Sequence, residues 1–462
     1  MVNKLISVNR YGVVYIKRIS KVLVKGLLDQ YNYAFNLSLE SRITMIFAPN
    51  GSGKTKLLKL INALFKNDFE EMYEIPFSEI HISFMDNCLL KVMKVLNDEE
   101  SEEKNYFLYE FKDKEVFTKF KVGVVTELPP LNSITRRLPF LRRIGPKEWF
   151  DTIYNRRLGL NEILTEYESI FNINYILDDQ YKEMIKSFLN IHYIETNRLH
   201  DKRISSYEMR RHSYGNEAYY DEDESYTVNL ISEEIKRLIS NKLNEFASVS
   251  QKLDSTFPTR LVSQMKNGKK SIDVNSIYVK LEELDAYRRK LAKIGLIDNQ
   301  EDSFKSLTEN LDEYIANVLA LYIKDTEEKF QIFEDLERRI TLFLDILNSR
   351  YKDKELQINK NDGLNIKLKN GRYLKNINQL SSGEQHTLVL NYNLLFESRP
   401  NTLVLIDEPE ISLHMEWQQS FLDDLIKITK LTNLDFIVAT HSPDIMNGNF
   451  EICVGLDHME SY

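Results

Sequence analysis

The sequence predicts an α/β protein in which short buried strands carry polar residues at their tips, joined to an antiparallel β lobe and an inserted helical or short coiled-coil arm. Three observations predict it. The apolar segment Ile43-Thr44-Met45-Ile46-Phe47 runs into a glycine loop and then into Leu57, Leu58, Leu60 and Ile61, a strand–loop–helix order. Two later apolar runs, at 402–407 and 436–440, each lead to ionisable residues. Between these ends, from 228 to 350, apolar residues change to gaps of three and four, as in Phe333, Leu336, Ile340, Phe343 and Leu347.

Composition sets the outer bounds. The 462 residues, 42% of them hydrophobic, suffice for about two to four structural units with a sizeable core. Two cysteines, Cys88 and Cys453, suit a reducing compartment. No run approaches the ~18 apolar residues of a membrane span. The N-terminal basic residues Lys4, Arg10, Lys17, Arg18 and Lys21 flank no signal-peptide core. A soluble, cytoplasmic protein is expected, without a membrane partner. The net charge of -9 excludes wholesale coating of nucleic acid, so any polyanion site must be local.

The first element is the loop Ala48-Pro49-Asn50-Gly51-Ser52-Gly53-Lys54-Thr55. From Asn50 onward its composition is that of a phosphate cradle. Gly51 and Gly53 let successive backbone N–H groups turn inward, Lys54 adds a mobile positive charge, and the Thr55 hydroxyl can ligate Mg²⁺ at the helix start. Ala48 stands where such loops usually begin with glycine, so the first turn must accept a methyl group. Next come alternating segments at 79–125, such as His81-Ile82-Ser83-Phe84 and Val116–Phe120, which predict antiparallel strands. The acidic run Asp98–Glu103 and the run Asp221-Glu222-Asp223 are expected to be solvated loops.

The arm follows, interrupted at Pro258 and at the turn Lys266–Lys270; a compact helical bundle is the competing expectation. Asn361-Asp362-Gly363 marks a hairpin back to the core. Leu380-Ser381-Ser382-Gly383-Glu384-Gln385 opens a helix through Leu388, Leu390, Leu394 and Leu395, an anion-binding N-terminus. Residues 402–410, Thr-Leu-Val-Leu-Ile-Asp-Glu-Pro-Glu, place Asp407 to hold the Mg²⁺ shell and Glu408 to orient and deprotonate an attacking water. Phe436–Thr440 delivers His441 at its tip. The expected organisation is an N-terminal lobe at 1–130, a basic and helical insertion at 131–227 with a strand near 190–196, an arm at 228–350 and a C-terminal lobe at 351–462.

Taken in order, the loop at 48–55, the signature at 380–385, the acid-tipped strand at 403–408 and His441 resemble the ABC-type P-loop ATPase head. The resemblance implies ATP and Mg²⁺ as cofactors and hydrolysis of ATP to ADP and phosphate. It also implies that ATP is sandwiched between two heads, with Ser381, Ser382, Gly383 and Glu384 of one meeting nucleotide held by another. Catalysis would fall to Glu408 and His441. A transporter subunit is disfavoured, because 324 positions separate Thr55 from Leu380, far more than in transporters.

The phrases Glu408-Pro409-Glu410-Ile411-Ser412-Leu413-His414, Trp417-Gln418-Gln419, Ala439-Thr440-His441-Ser442-Pro443 and Tyr193-Ile194-Glu195-Thr196-Asn197-Arg198-Leu199 are more particular. They resemble the AAA-type, OLD-like ABC ATPases of bacterial antiphage systems, the group with Gabija, Septu and PARIS. The ATPase subunit of PARIS is the nearest in pattern, the Septu ATPase next. That resemblance implies a homo-oligomer, a dimer at least and of higher order in such systems. It would sequester a separate TOPRIM-like nuclease and release it on meeting a phage-encoded trigger protein, acidic or DNA-mimicking. His414 falls where transporter heads carry the D-loop aspartate, at the dimer interface; a helix-capping histidine is its plainer reading. Arg198 is a candidate reader of nucleotide state, a surface arginine otherwise, and no Q-loop glutamine is assigned. Only 21 residues follow His441, so no nuclease activity of the chain's own is expected. The alternative is a RecF- or SMC-like DNA-repair ATPase binding DNA ends or gaps.

One local feature stands apart. Between Ile134 and Leu158 lie Arg136, Arg137, Arg142, Arg143, Lys147, Arg156 and Arg157 against Glu148 and Asp151, a net +5. Phe140, Trp149, Phe150 and Tyr154 are interleaved. This stretch is a candidate docking patch for DNA, a polyanionic trigger or the nuclease, unless its arginines pair with the protein's own acids.

Overall fold

Buried and open residues alternate along Ile19–Leu27 (β1) and Tyr31–Asn36 (β2), as expected of strands covering a core on one face. The computed structural model describes residues 17–96, 105–113, 116–123, 131–145, 148–153, 156–167, 184–185, 188–195, 225–266, 274–298, 313–374 and 379–456. The chain forms two units, Met1–Arg198 with Ser205–Tyr214 and Ser398–Tyr462, and Leu199–Ile204 with Gly215–Glu397.

In the first unit Ile43–Phe47 (β3) leads into Lys54–Lys66 (α1) and Phe69–Glu74 (α2). Glu79–Phe84 (β4), Leu89–Val95 (β5), Tyr106–Asp113 (β6) and Val116–Gly123 (β7) then complete a six-stranded antiparallel sheet of order β2-β1-β4-β5-β6-β7. This is the lobe that alternation at 79–125 predicted. Leu131–Arg137 (α3), Leu141–Gly145 (β8), Glu148–Asp151 (β9), Arg156–Gly159 (β10) and Leu160–Glu166 (α4) follow. The stretch read as basic and helical therefore holds a three-stranded antiparallel sheet, β10-β9-β8. Its strands are four or five residues long and rich in arginine and glycine, too short to show a period. They pack Leu141, Trp149 and Leu158 against Ile134 and Ile163 in a small core of their own. Asn190–Ile194 (β11) is the strand expected near 190–196.

The second unit is helical. Ser225–Lys266 (α5), Val274–Lys293 (α6), Glu313–Gln331 (α7) and Glu334–Arg350 (α8) precede the hairpin Lys354–Asn359 (β12) and Gly363–Leu368 (β13), and Ser382–Tyr392 (α9) follows it. One expectation is corrected here. Pro258 does not interrupt the arm: α5 runs through it, with side-chain donors on two carbonyls of the preceding turn. Thr256 Oγ1 donates to Lys252 O at 2.9 Å, and Arg260 Nη2 donates to Leu253 O at 2.7 Å. Of the two expectations for the arm, coiled coil and compact helical bundle, the observed contacts favour the bundle. Helix α7 meets α5 antiparallel, through Lys329–Asp254 and Gln264–Asn317, and meets α6 through Lys280–Glu327 and Tyr287–Phe330. Spacing marks one apolar face of a helix and not the number of helices it touches. The hairpin turn is as expected: Gly363 has φ +76°, and a Cβ there would lie 2.2 Å from Ser232 O.

The chain returns to the first unit with Thr402–Asp407 (β14), Met415–Thr432 (α10), Asp435–Thr440 (β15), Pro443–Met446 (α11) and Cys453–Gly455 (β16). All strands of the sheet β11-β14-β15-β3-β16 are parallel. Every residue of β14 is buried, as befits a central parallel strand. The register pairs Asp407 with Ala439, and Ala439 with Ile46, so three strands end level. The polar residues after each strand therefore gather along one carboxyl edge, where open parallel sheets bind ligands.

Candidate nucleotide-hydrolysis site

The glycine loop begins where β3 ends. Gly51 and Gly53 have φ of +84° and +80°, conformations that side chains resist. Ala48 has no positive φ and is buried, so its methyl group meets no backbone penalty. Lys54 is buried, and its Nζ donates to the carbonyls of Ala48 (2.7 Å) and Pro49 (3.0 Å). Asn50 and Ser52 complete the loop, which two tyrosines of β2 brace. Tyr33 donates to Ser52 O at 2.8 Å and Tyr31 to Gly51 O at 3.3 Å, their rings stacked 5.5 Å apart. Burial pushes the Tyr33 hydroxyl up to about 12, so it remains a donor at neutral pH. Sequence reading missed both; only their alternation in an aromatic strand before the loop was visible.

At the tip of β14, Asp407 is buried and accepts a hydrogen bond from the Thr55 hydroxyl. Its Oδ1 has no hydrogen-bond partner among the described residues, and the Tyr193 hydroxyl faces Oδ2 at 3.5 Å. Burial, then the neighbouring Glu408 charge, raises the Asp407 pKa, while Thr55, Lys54 and Lys59 oppose the rise. An orphaned carboxylate oxygen beside a threonine hydroxyl is a donor set of hard oxygens suited to Mg²⁺. Among the described residues no cluster of three His, Cys, Asp or Glu side chains could hold a metal by itself, and Mg²⁺ characteristically takes few protein ligands.

Glu408 has φ 43° and ψ 61°, a left-handed conformation made costlier by the following Pro409. Its N–H donates to Ala439 O at 2.9 Å, which ties the turn to β15. Glu408 Oε1 lies 3.7 Å from His441 Nδ1. Glu410, two residues on, is the member that sequence reading gave no role. Its buried Oε1 accepts from Thr440 Oγ1 and from the His441 N–H, each at 2.8 Å, and lies 3.0 Å from His441 Nδ1. Ser442 Oγ donates to Gln418 Oε1 at 2.9 Å, and Gln418 Nε2 reaches the carbonyls of Glu410 and Leu413. This network fixes the His441 backbone.

Other expected residues stand as follows. His414 is exposed at the N-cap of α10 without a side-chain cap hydrogen bond, its ring 6.0 Å from Trp417. In the second unit Ser381 caps α9, and Glu384 closes a capping box by accepting from Ser381 N at 2.7 Å. Lys354 Nζ also binds the Glu384 carboxylate, at 2.7 Å. Ser382 and Gly383 form the first turn of α9. Arg198, Lys147 and the two acidic runs lie outside the described residues, as does the Arg156 side chain. Among the described residues no helix is long and apolar enough to cross a membrane.

Residues 18–446 match the AAA ATPase domain family. The chain belongs to that family. The AAA ATPase domain spans both units, and the loop at 48–55, Asp407 and His441 all fall within it. The chain is thus an α/β ATPase. Among known proteins it is similar to the Retron Ec83 probable ATPase of Escherichia coli, 30% identical over 166 residues. That match takes in 29% of this chain and 30% of the relative, so the chain spans under a third of that protein's length. Solved structures similar to it include Smc head domains. One, from Pyrococcus furiosus with an extended coiled coil bound to the C-terminal domain of ScpA, has a TM-score of 0.36 and 16% identity, over 95% of this chain and 93% of that one. Another, from Thermotoga maritima, has a TM-score of 0.28 and 11% identity, over 95% and 94%. Likenesses this loose bear on no point of mechanism.

Proposed function

We propose that this AAA ATPase is a nucleotide-driven switch whose heads pair around ATP and gate a separate nuclease effector in antiphage defence. The observation carrying the hydrolytic part is the gathering of Thr55, Asp407, Glu408 and His441 at one carboxyl edge, with Glu408 3.7 Å from His441. In this reading the backbone of 50–55 wraps the phosphates, and Lys54 leaves its loop carbonyls to meet them. Thr55 and Asp407 hold Mg²⁺, which supplies charge neutralisation on the phosphate oxygens when bound. Glu408 takes the proton of the attacking water, and His441 contacts the terminal phosphate. Ser381, Ser382 and Gly383 of a second copy complete the site, and Glu384 acts by holding Ser381. His414 lies near the joint between copies.

Two supports bear on biology: the partial similarity to a retron ATPase, and the antiphage phrases around Glu408, His414 and His441, closest in pattern to PARIS. The trigger is then a phage-encoded protein and the effector a TOPRIM-like nuclease on another chain.

Mixing variants tests the paired head. Lys54→Ala and Ser381→Arg should each abolish ATP hydrolysis alone. Mixed in equal amounts they should regain a fraction of parent activity, because one of two composite sites pairs an intact loop with an intact signature. Mixtures as inactive as either parent variant, under conditions where the copies exchange, would refute the composite site. Glu408→Gln should keep ATP binding, lose turnover and leave the copies associated. Co-purification with the neighbouring gene product, followed by nuclease assays with and without phage proteins, tests the gating.

A further inference from the structure

The glycine loop rests on the hairpin of β1 and β2 at three consecutive residues. A Cβ at Gly53 would lie 3.3 Å from Leu28 Cδ1 and 3.4 Å from Leu27 Cδ2, where β1 turns into β2. Tyr31 and Tyr33 of β2 reach the two preceding carbonyls, those of Gly51 and Ser52. A buried tyrosine hydroxyl adds no packing that phenylalanine would lack, and its burial is unfavourable unless it finds a partner. Tyr33 is fully buried, and the acceptor of its hydroxyl is a carbonyl of the glycine loop.

Each of those carbonyls belongs to a planar peptide whose N–H points the opposite way. With the Gly51 carbonyl on Tyr31, the Ser52 N–H turns back into the loop and donates to Pro49 O at 3.3 Å, closing the turn. With the Ser52 carbonyl on Tyr33, the Gly53 N–H is aimed away from β2. Among the described residues that N–H has no backbone acceptor. The next N–H groups, those of Lys54 and Thr55, open α1 and have no carbonyl of their own helix to bind. Gly53, at φ +80°, is also the residue whose backbone would most easily turn another way, because glycine meets little steric resistance.

We propose that Tyr33 is a positioning residue for ATP: its hydrogen bond fixes the Ser52–Gly53 peptide so that the Gly53 N–H faces the phosphates before nucleotide arrives. Tyr31 holds the turn that precedes it. This rests on the reading that residues 50–55 cradle the phosphates. The buried Tyr33 ring cannot stack on a base, so its effect passes through the loop. An aligned N–H serves bound ATP and the transition state alike, so losing the alignment weakens binding and leaves turnover unchanged.

Titration of the full chain with a fluorescent ATP analogue, displaced by ATP or by tripolyphosphate, tests this beside steady-state hydrolysis. Tyr33→Phe keeps the packed ring. It should weaken ATP and tripolyphosphate by the same factor, about five- to ten-fold, with kcat within about two-fold of the parent. Tyr31→Phe, whose bond is longer and open to water, should weaken both by about two-fold at most. A merely structural tyrosine would lower the melting temperature and leave both affinities at parent values, and that result overturns the proposal. So does a fall in kcat with KM unchanged. A loss confined to ATP, with tripolyphosphate bound as tightly as before, also overturns it, since the hairpin would then act on the base. Lys54→Ala separates the two levels of the argument. If it binds tripolyphosphate like the parent, residues 50–55 do not hold phosphates; if it loses binding while Tyr33→Phe does not, the role of the tyrosine alone fails.

Discussion

Glu410 Oε1 accepts the His441 backbone N–H at 2.8 Å and lies 3.0 Å from the same residue's Nδ1, so one buried carboxylate oxygen fixes the main chain and stands beside the ring. The contact spans 31 residues and ties the turn after β14 to the tip of β15. Its geometry is a positioning device for the residue beside Glu408.

Removing that device has a defined outcome. Glu410→Ala leaves the buried Thr440 hydroxyl and the His441 N–H without their acceptor, a loss of about 1–3 kcal/mol in stability. It also loosens the main chain that carries His441, and kcat should fall about 10- to 100-fold while KM for ATP changes little. Glu410→Gln keeps one acceptor oxygen. It should melt close to the parent yet still hydrolyse ATP more slowly, which separates positioning from bulk structure. Parent-level kcat in Glu410→Ala would show that His441 needs no such support.

Asp407 gives a prediction about pH and stability. Burial and the Glu408 charge raise its pKa above the usual 3.8. The folded chain thus holds that proton to higher pH than the unfolded chain does, and stability falls as pH rises from about 3.8 through the raised folded value. At neutral pH the ionised carboxylate opposes folding until a cation joins it. Asp407→Asn should therefore melt about 2–4 °C higher than the parent without nucleotide. It should gain no further protection from ATP with Mg²⁺, whereas the parent should. A lower melting temperature for Asp407→Asn without nucleotide would contradict the assigned origin of the shift.

The first turn of the loop accepts the Ala48 methyl group without strain. Because its φ is not positive, glycine confers no advantage there. Ala48→Gly should leave ATP affinity within about two-fold and cost about 0.5–1 kcal/mol through unfolded-chain entropy. Urea unfolding and nucleotide titration measure both; a large gain in affinity would show that the methyl group does obstruct the loop.

What was legible in the sequence follows from how far its causes reach along the chain. Gly51, Lys54, Asp407 and His441 each lie at or shortly after the end of an apolar run, so local pattern finds them. Glu410 acts through the register that sets Asp407 level with Ala439, a parallel pairing between segments some thirty residues apart. No local pattern reports it. Tyr31 and Tyr33 reach the loop from β2, a strand of the other sheet, and no local pattern reports that either. The β8–β10 sheet escaped because strands of four or five residues are shorter than the window a period needs. Pro258 misled for the opposite reason: the rule that proline ends helices is local, whereas this turn of α5 is tied through Arg260 to Asp325 on a different helix.

That anchor supplies the last prediction. Arg260 donates from Nη1 and Nη2 to the two oxygens of Asp325, at 2.5 and 2.6 Å, while Nη2 also serves Leu253 O near the Pro258 gap. Asp325 is buried, and Arg260 is partly open to water. Arg260→Ala would strand a buried carboxylate and a helix carbonyl together, costing about 3 kcal/mol, at the lower end for a broken buried pair because water can reach the gap. Arg260→Lys keeps the charge but cannot make the two-pronged contact, so it should recover less than half of that loss. Urea unfolding followed by circular dichroism should show both deficits in the helical unit, with ATP affinity unchanged. If Arg260→Ala unfolds at the parent's midpoint, the continuity of α5 through Pro258 must rest on helix packing alone.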